Sequence, residues 1–359
     1  MVGERVADRL AKVAGPAQIA DFDAIIDARS PAEYAEDHIP DAINCPVLDN
    51  EQRARVGAIY LQESPFEAKK LGAALVARNI ADHIEHQFLS KPRTWRPLVY
   101  CWRGGQRSSA FVHILRQIGW DAHRLEGGYK AWRRSIIDEL ATLPLRFKFC
   151  VISGATGSGK SRLLEALAQQ GAQVLHLEQL AEHKGSLLGN LPGATQPSQK
   201  MFETRLHGAL TGFNAEQPVF VEAESRRIGD VQMPNTLLDM IRAAPSLCIE
   251  ASFEARVEFL LSDYAYFLEA PDWLRERIQR LRGMHSNQTI ERWLKLVADG
   301  EFRTLVEELL KQHYDPHYLR SQSKNFAGFH DARPYETNDL STVGIGQMAH
   351  AILASTRGL

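Results

Sequence analysis

Excess charge of either sign, long apolar runs and paired cysteines are what this 359-residue chain lacks. Its 42 Lys and Arg against 44 Asp and Glu leave a formal net charge of −2. The whole chain therefore exerts no general pull on nucleic acid, although a local basic face is compatible with that balance. No apolar run nears the ~20 residues of a membrane span. Glu4, Asp8 and Arg9 break up the apolar core that a secretion signal would need. The four cysteines, Cys45, Cys101, Cys150 and Cys248, contain no CxxC pair. That argues against a disulfide framework or a thiolate zinc site and fits a reducing cytoplasm. Internal repeats and low-complexity segments are missing too. The length points to two domains.

What is present is organised around Gly154-Ala155-Thr156-Gly157-Ser158-Gly159-Lys160-Ser161. An apolar run, Phe147 to Ile152, precedes it, and a helical pattern with Leu163, Leu164 and Leu167 follows. Strand, glycine-rich turn and helix start make the setting of a Walker A phosphate loop. The glycines let backbone N–H groups converge on a phosphate, to which the new helix offers its positive end. Lys160 would reach the outer phosphate and Ser161 could ligate magnesium. On residues alone this is a phosphate or diphosphate site, with a tight structural turn as the alternative.

In the first half, Ala24 to Asp27 reads as a short buried strand, and Ser30, Pro31 and Glu33 open a helix with a capping box. A helix-rich stretch covers roughly 51–91. The strand Leu98 to Tyr100 then runs into Cys101, followed by Trp102-Arg103-Gly104-Gly105-Gln106-Arg107-Ser108-Ser109 and a helix through Phe111, Ile114 and Leu115. Strands alternating with helices predict a parallel sheet. A cysteine at the carboxyl end of such a strand, before a glycine-containing loop and a helix N-terminus, is placed to react. Loop N–H groups, the helix dipole, Arg103 and Arg107 would favour its thiolate and stabilise an anion held there. A buried core cysteine is the alternative. Cys45, Cys150 and Cys248 have no such surroundings and are read as structural.

Four stretches carry a resemblance: Asp27 to Tyr34, His38 to Asn44, Cys101 with its loop, and Leu125-Glu126-Gly127-Gly128-Tyr129-Lys130-Ala131-Trp132. In this order, over about 130 residues, they resemble a rhodanese domain. The resemblance implies that Cys101 carries a persulfide-type or selenium-bearing intermediate, with Arg103, Gly104, Gly105, Gln106, Arg107 and Ser108 as the anion cradle. One departure matters: five residues separate Cys101 from Arg107, where common single-domain rhodaneses have four. The longer loop is similar to that of phosphatases on the same fold and leaves room for a donor the size of selenophosphate.

Beyond a short linker, 141–146, Gln173 to Leu177 reads as a second strand and Pro218 to Glu222 as a third. The third ends in a carboxylate, as a Walker B strand does. Glu222 and Glu224, with Ser161, are candidates for metal or substrate, a strand-end salt bridge being the alternative. Arg226 and Arg227 follow at the mouth of the sheet. Arg275, Arg277, Arg280 and Arg282 are expected in one helix with Trp273, and Lys311, His313, His317, Arg320 and Lys324 form another basic group. Clustered arginine beside aromatics suits an RNA backbone, and equally a solvated helix face.

The expected fold is α/β, a rhodanese-like parallel-sheet domain (1–140) followed by a P-loop NTPase-like domain (147–359) with a helical C-terminal part. The chain as a whole resembles the tRNA 2-selenouridine synthase family, through the Cys101 loop, the phosphate loop, Leu177 to Ser186, Gln196 to Lys200 and Val221 to Gly229. The resemblance implies a cytoplasmic transferase acting on tRNA with wobble 2-thiouridine. It would geranylate the sulfur with geranyl diphosphate, then install selenium from selenophosphate. No tightly bound cofactor is expected, magnesium at the phosphate loop being an option, and no membrane. Three competitors stand beside it: a sulfurtransferase fused to an ATP-dependent kinase, a phosphate-sensing RNA-binding protein with a redox-regulatory Cys101, and a phosphatase.

Overall fold

The computed structural model describes residues 12–184, 195–263, 271–318, 320 and 332–356. Glu4, Asp8, Arg9, Ser186 and Lys324, named above, lie outside the described residues. The chain divides into two compact units, Met1–Glu139 and Leu140–Leu359.

In the first unit five strands, β1 (Val13–Ala14), β2 (Ala24–Asp27), β3 (Ile43–Asn44), β4 (Pro97–Tyr100) and β5 (His123–Leu125), form one sheet in the order β1-β5-β4-β2-β3. All its pairings are parallel. β4 lies at its centre with all four residues buried, as expected of a strand covered on both faces. The helix Gln106–Ile118 turns Phe111, Val112 and Leu115 into the core with Ile26, Phe88, Trp95 and Val99. It stops at Gly119, whose φ of 108° closes the last turn in a way other residues resist.

The Asp27–Arg29 ion pair (2.6 Å) is buried. The Arg29 guanidinium lies 3.9 Å from the centre of the Tyr129 ring, and Tyr129 in turn donates to Asp37 at 2.7 Å. This network joins the end of β2 to the turn after β5. Removing either charge would strand the other, at a cost of about 3–5 kcal/mol.

The second unit carries β6 (Phe149–Gly154), β7 (Gln173–Leu175), β8 (Val219–Glu222), β9 (Arg227–Ile228), β10 (Val231–Gln232), β11 (Ser246–Ala251) and β12 (Arg333–Thr337). Its parallel sheet runs β12-β11-β6-β8-β7, with β9 and β10 as a separate antiparallel pair. The helix Lys160–Gln169 buries Leu163, Leu164 and Leu167. Ile345, Met348, Ala349 and Ile352, from the helix Thr342–Thr356, complete that core. A second cluster, centred on Trp293, holds the helices Pro271–Gln279, Asn287–Ala298 and Phe302–Leu309 together.

Segment 141–146 is ordered rather than a free spacer. Leu143–Arg146 form a turn of 3-10 helix with Leu143 and Pro144 buried, and the Ala141 carbonyl accepts from Thr236. Among the described residues no helix is long and apolar enough to cross a membrane.

Candidate active site

Cys101, which follows β4, is almost wholly covered, at 3 % exposure. Sγ lies 3.2 Å from the Ser108 hydroxyl, which also donates to the Gly105 carbonyl at 3.2 Å. The Cys101 and Trp102 carbonyls accept from the N–H groups of Tyr129 (2.8 Å) and Lys130 (3.0 Å). Because a trans peptide sets N–H opposite C=O, the N–H groups that follow those carbonyls face away from Tyr129. Arg103 and Gly105 on the loop and Gln106 at the helix start are exposed, while Gly104 and Ser108 are buried.

Close packing explains the two glycines before Tyr129. Gly128 has φ +60°, and a Cβ there would lie 2.3 Å from the Cys101 carbonyl oxygen and 2.4 Å from the Gly104 nitrogen. Gly128→Ala is expected to cost the first unit about 1–3 kcal/mol by strain and overlap. Differential scanning calorimetry would show a lowered first transition; an unmoved midpoint would mean the Cys101 loop yields freely.

Arg107 does not meet the expectation of an arginine aimed at the sulfur. Its guanidinium donates to Glu33 at 2.8 Å, and Arg53 approaches the same carboxylate at 3.2 Å. Burial alone would raise the Glu33 carboxyl; the bonds from Arg107 bring it below its ordinary value instead. Glu33 also accepts from the Ser30 N–H. The helix start foreseen at Ser30 thus anchors Arg107, a link invisible in local spacing.

In the second unit the phosphate loop leaves β6 and opens the helix at Lys160. Gly154, Gly157 and Gly159 all have positive φ. The Lys160 ammonium donates to the Gly154 (2.7 Å) and Ala155 (3.3 Å) carbonyls. The loop is pinned from outside: Arg256 donates to the Thr156 carbonyl (2.8 Å) while paired with Asp315 (2.5 Å), and the Gly154 N–H donates to the Tyr318 hydroxyl (2.6 Å).

The expected carboxylates are there, with one more. Glu222 ends β8, is 2 % exposed, and its Oε2 has no hydrogen-bond partner. Ser161 donates instead to Glu178 (2.8 Å), which follows β7. Glu178 directly follows the expected second strand and is not among the site residues expected from sequence; only the strand order β6-β8-β7 brings it in. Burial first, then the neighbouring carboxylates Glu178 and Glu224, holds the Glu222 carboxyl well above its usual range. Burial and Glu178 push Glu224 up to about 7, while burial pulls Lys160 below the ordinary lysine value.

A carboxyl raised on folding keeps a proton that the unfolded chain has already released. The ligand-free second unit should therefore lose stability as pH rises from the ordinary carboxylate range to about 7, by on the order of 1–3 kcal/mol for a half-buried carboxyl. Glu224→Gln should flatten that slope in urea titrations at pH 5 to 8; an unaltered slope would remove Glu224 from the coupled set.

Hard oxygen donors at Ser161, Glu178, Glu222 and Glu224, with one buried oxygen unpartnered, suit magnesium, which binds few protein ligands and keeps several waters. Among the described residues no three His, Cys, Asp or Glu side chains already converge as a metal cage.

The arginines expected to meet tRNA do not act as a group. The helix Pro271–Gln279 ends before Arg280 and Arg282. Arg277 is buried 4.6 Å over the Trp273 ring, and Arg282 pairs with Glu291. Arg275 and Arg280 are exposed. Arg226 donates to Asn235 and Arg227 to Asp230, both on the surface beside the β8 end. The second basic group is divided as well: His313 is buried, bonded to His285 at 3.0 Å, while Lys311, His317 and Arg320 are exposed.

Comparison with known proteins agrees with this layout. Residues 10–135 match the rhodanese-like domain, and residues 147–291 match the tRNA 2-selenouridine synthase AAA domain. The tRNA 2-selenouridine synthase of Alcanivorax borkumensis is 35 % identical over 330 residues, covering 82 % of this chain and 88 % of that protein. Those of Nitrosomonas europaea (35 %, covering 85 % and 77 %) and Hydrogenovibrio crunogenus (32 %, covering 86 % and 93 %) are similarly related. With both units matched in order and nearly full-length relatives, the chain belongs to the tRNA 2-selenouridine synthase family.

Proposed function

We propose that the two units divide a sulfur-to-selenium exchange on tRNA whose wobble uridine carries a 2-thio group. A thiocarbonyl sulfur leaves poorly, and alkylation makes it a good leaving group. In the second unit, the sulfur attacks the allylic carbon of geranyl diphosphate, the carbon–oxygen bond breaks, and diphosphate departs. The nucleobase gives up its N3 proton, for which Glu224, on the cavity wall, is a suitable acceptor. Loop N–H groups and Lys160 stabilise charge on the departing diphosphate. Ser161, Glu178 and Glu222 would hold magnesium, which when bound adds positive charge at the same oxygens.

The first unit then serves the exchange. Selenophosphate is held by the loop after Cys101: its selenium attacks C2 of the base, the carbon–sulfur bond breaks, the Cys101 thiol protonates the departing geranyl thiolate, and water cleaves the selenium–phosphorus bond to release phosphate. The observation carrying this scheme is the pairing, in one chain of this family, of a reactive-cysteine loop and a phosphate loop. Its test is mass spectrometry of nucleosides from 2-thiouridine-containing tRNA treated with the protein and geranyl diphosphate, then selenophosphate. A geranyl mass gain followed by a sulfur-to-selenium shift is expected. An unchanged nucleoside together with ATP hydrolysis would replace this scheme by a sulfurtransferase joined to a kinase.

A further inference from the structure

A cavity of about 410 Å³ adjoins the phosphate loop, and its lining has two characters. Thr156, Lys160, Ser161, Glu178 and Glu224 make one part polar, while Phe259, Leu260, Tyr314 and Tyr318, with His313 and His317 beside them, make another mainly apolar or aromatic. The helix Phe253–Asp263 sets the boundary between them. Arg256, Leu260 and Asp263 share one of its faces by spacing. Arg256 holds the Thr156 carbonyl, and Asp263 pairs with Lys184 and Arg162. Leu260, between these polar anchors, presses on the loop itself: a Cβ on Gly157 would lie 2.8 Å from its Cγ. The Tyr318 hydroxyl is engaged by the Gly154 N–H, and its ring centre lies 5.8 Å from the Lys160 ammonium. Apolar surface therefore begins within van der Waals contact of the phosphate cradle.

We infer that Phe259, Leu260, Tyr314 and Tyr318 form the subsite for the hydrocarbon chain of an alkyl diphosphate whose phosphates lie on the Gly154–Ser161 loop. This rests on the diphosphate assignment above. A nucleoside presents a polar sugar next to its phosphates, whereas a prenyl diphosphate presents carbon at once, and carbon is what this wall accepts. The volume falls near the lower end of the usual range for ligand pockets, about 300–1,000 Å³, and so favours a short chain over a long polyprenyl tail.

The experiment is calorimetric titration of the full-length protein with inorganic diphosphate, dimethylallyl diphosphate, geranyl diphosphate and ATP. Affinity should rise with chain length, geranyl diphosphate binding roughly 10- to 100-fold tighter than inorganic diphosphate. Leu260→Asn, which keeps the size of the side chain, should shrink that ratio about tenfold; Leu260→Ala, which only shortens a half-buried side chain, should shrink it less. A ratio near one, a ratio untouched by both variants, or ATP binding tighter than geranyl diphosphate would overturn the subsite while leaving a phosphate site in place. Failure of every diphosphate to bind would instead overturn the loop assignment itself.

Discussion

Cys101→Ser is expected to abolish selenium incorporation, by a factor on the order of 10³ or more, while S-geranyl nucleoside accumulates at near the wild-type rate. The exchange of sulfur for oxygen is almost isosteric, so the contacts with Ser108 and Gly105 leave the loop folded. The chemistry changes completely, since a serine hydroxyl is a far weaker acid than a thiol and protonates a departing thiolate far less readily. Geranylation belongs to the other unit and should persist. Nucleoside mass spectrometry at several times after mixing would separate the two steps. Loss of both would mean that the units do not divide the labour as proposed.

Lys160→Ala is expected to act on the opposite step, lowering geranylation by about 10²–10³-fold, the scale for deleting one donor to a developing anion. The alanine also leaves Glu178, Glu222 and Glu224 without the cation that opposes their repulsion, so their carboxyls should hold protons still more firmly. Without the S-geranyl nucleoside no selenouridine forms from 2-thiouridine tRNA. Supplying tRNA geranylated beforehand should restore it, since the Cys101 unit is untouched. A Lys160→Ala protein that geranylates at the wild-type rate would remove the phosphate loop from that step.

The phosphate loop and the Cys101 loop were both legible in the chain because each is a local device. Strand, turn and helix start follow one another within some fifteen residues, and apolar spacing reports them directly. What escaped depends on partners far along the chain. Arg107 was expected at the sulfur, yet its partner Glu33 lies 74 residues away. Tyr318 reaches Gly154 across 164 residues. Glu178 enters the site only because β8 lies between β6 and β7, and periodicity carries no strand order. Arg277 was expected to face RNA, but its side chain follows the apolar face of Leu274 and Ile278 inward, its charge over Trp273.

The cover over the phosphate-loop helix has a consequence in time. Gln170, just past that helix, donates to the Gly346 carbonyl 176 residues later, and Ile345, Met348 and Ile352 close the apolar face of Leu163 and Leu167. At synthesis rates of about 5–20 residues per second, the ribosome needs roughly 9 to 35 s to deliver that lid. Until then the nascent phosphate-loop helix keeps its leucines open to water and to other chains. The Cys101 loop waits far less, since Gly128 and Tyr129, which lock it, emerge within about 28 residues of the cysteine. The cysteine unit can be complete while the diphosphate unit is still being made, so chaperone dependence and aggregation should concentrate in the second half of the chain.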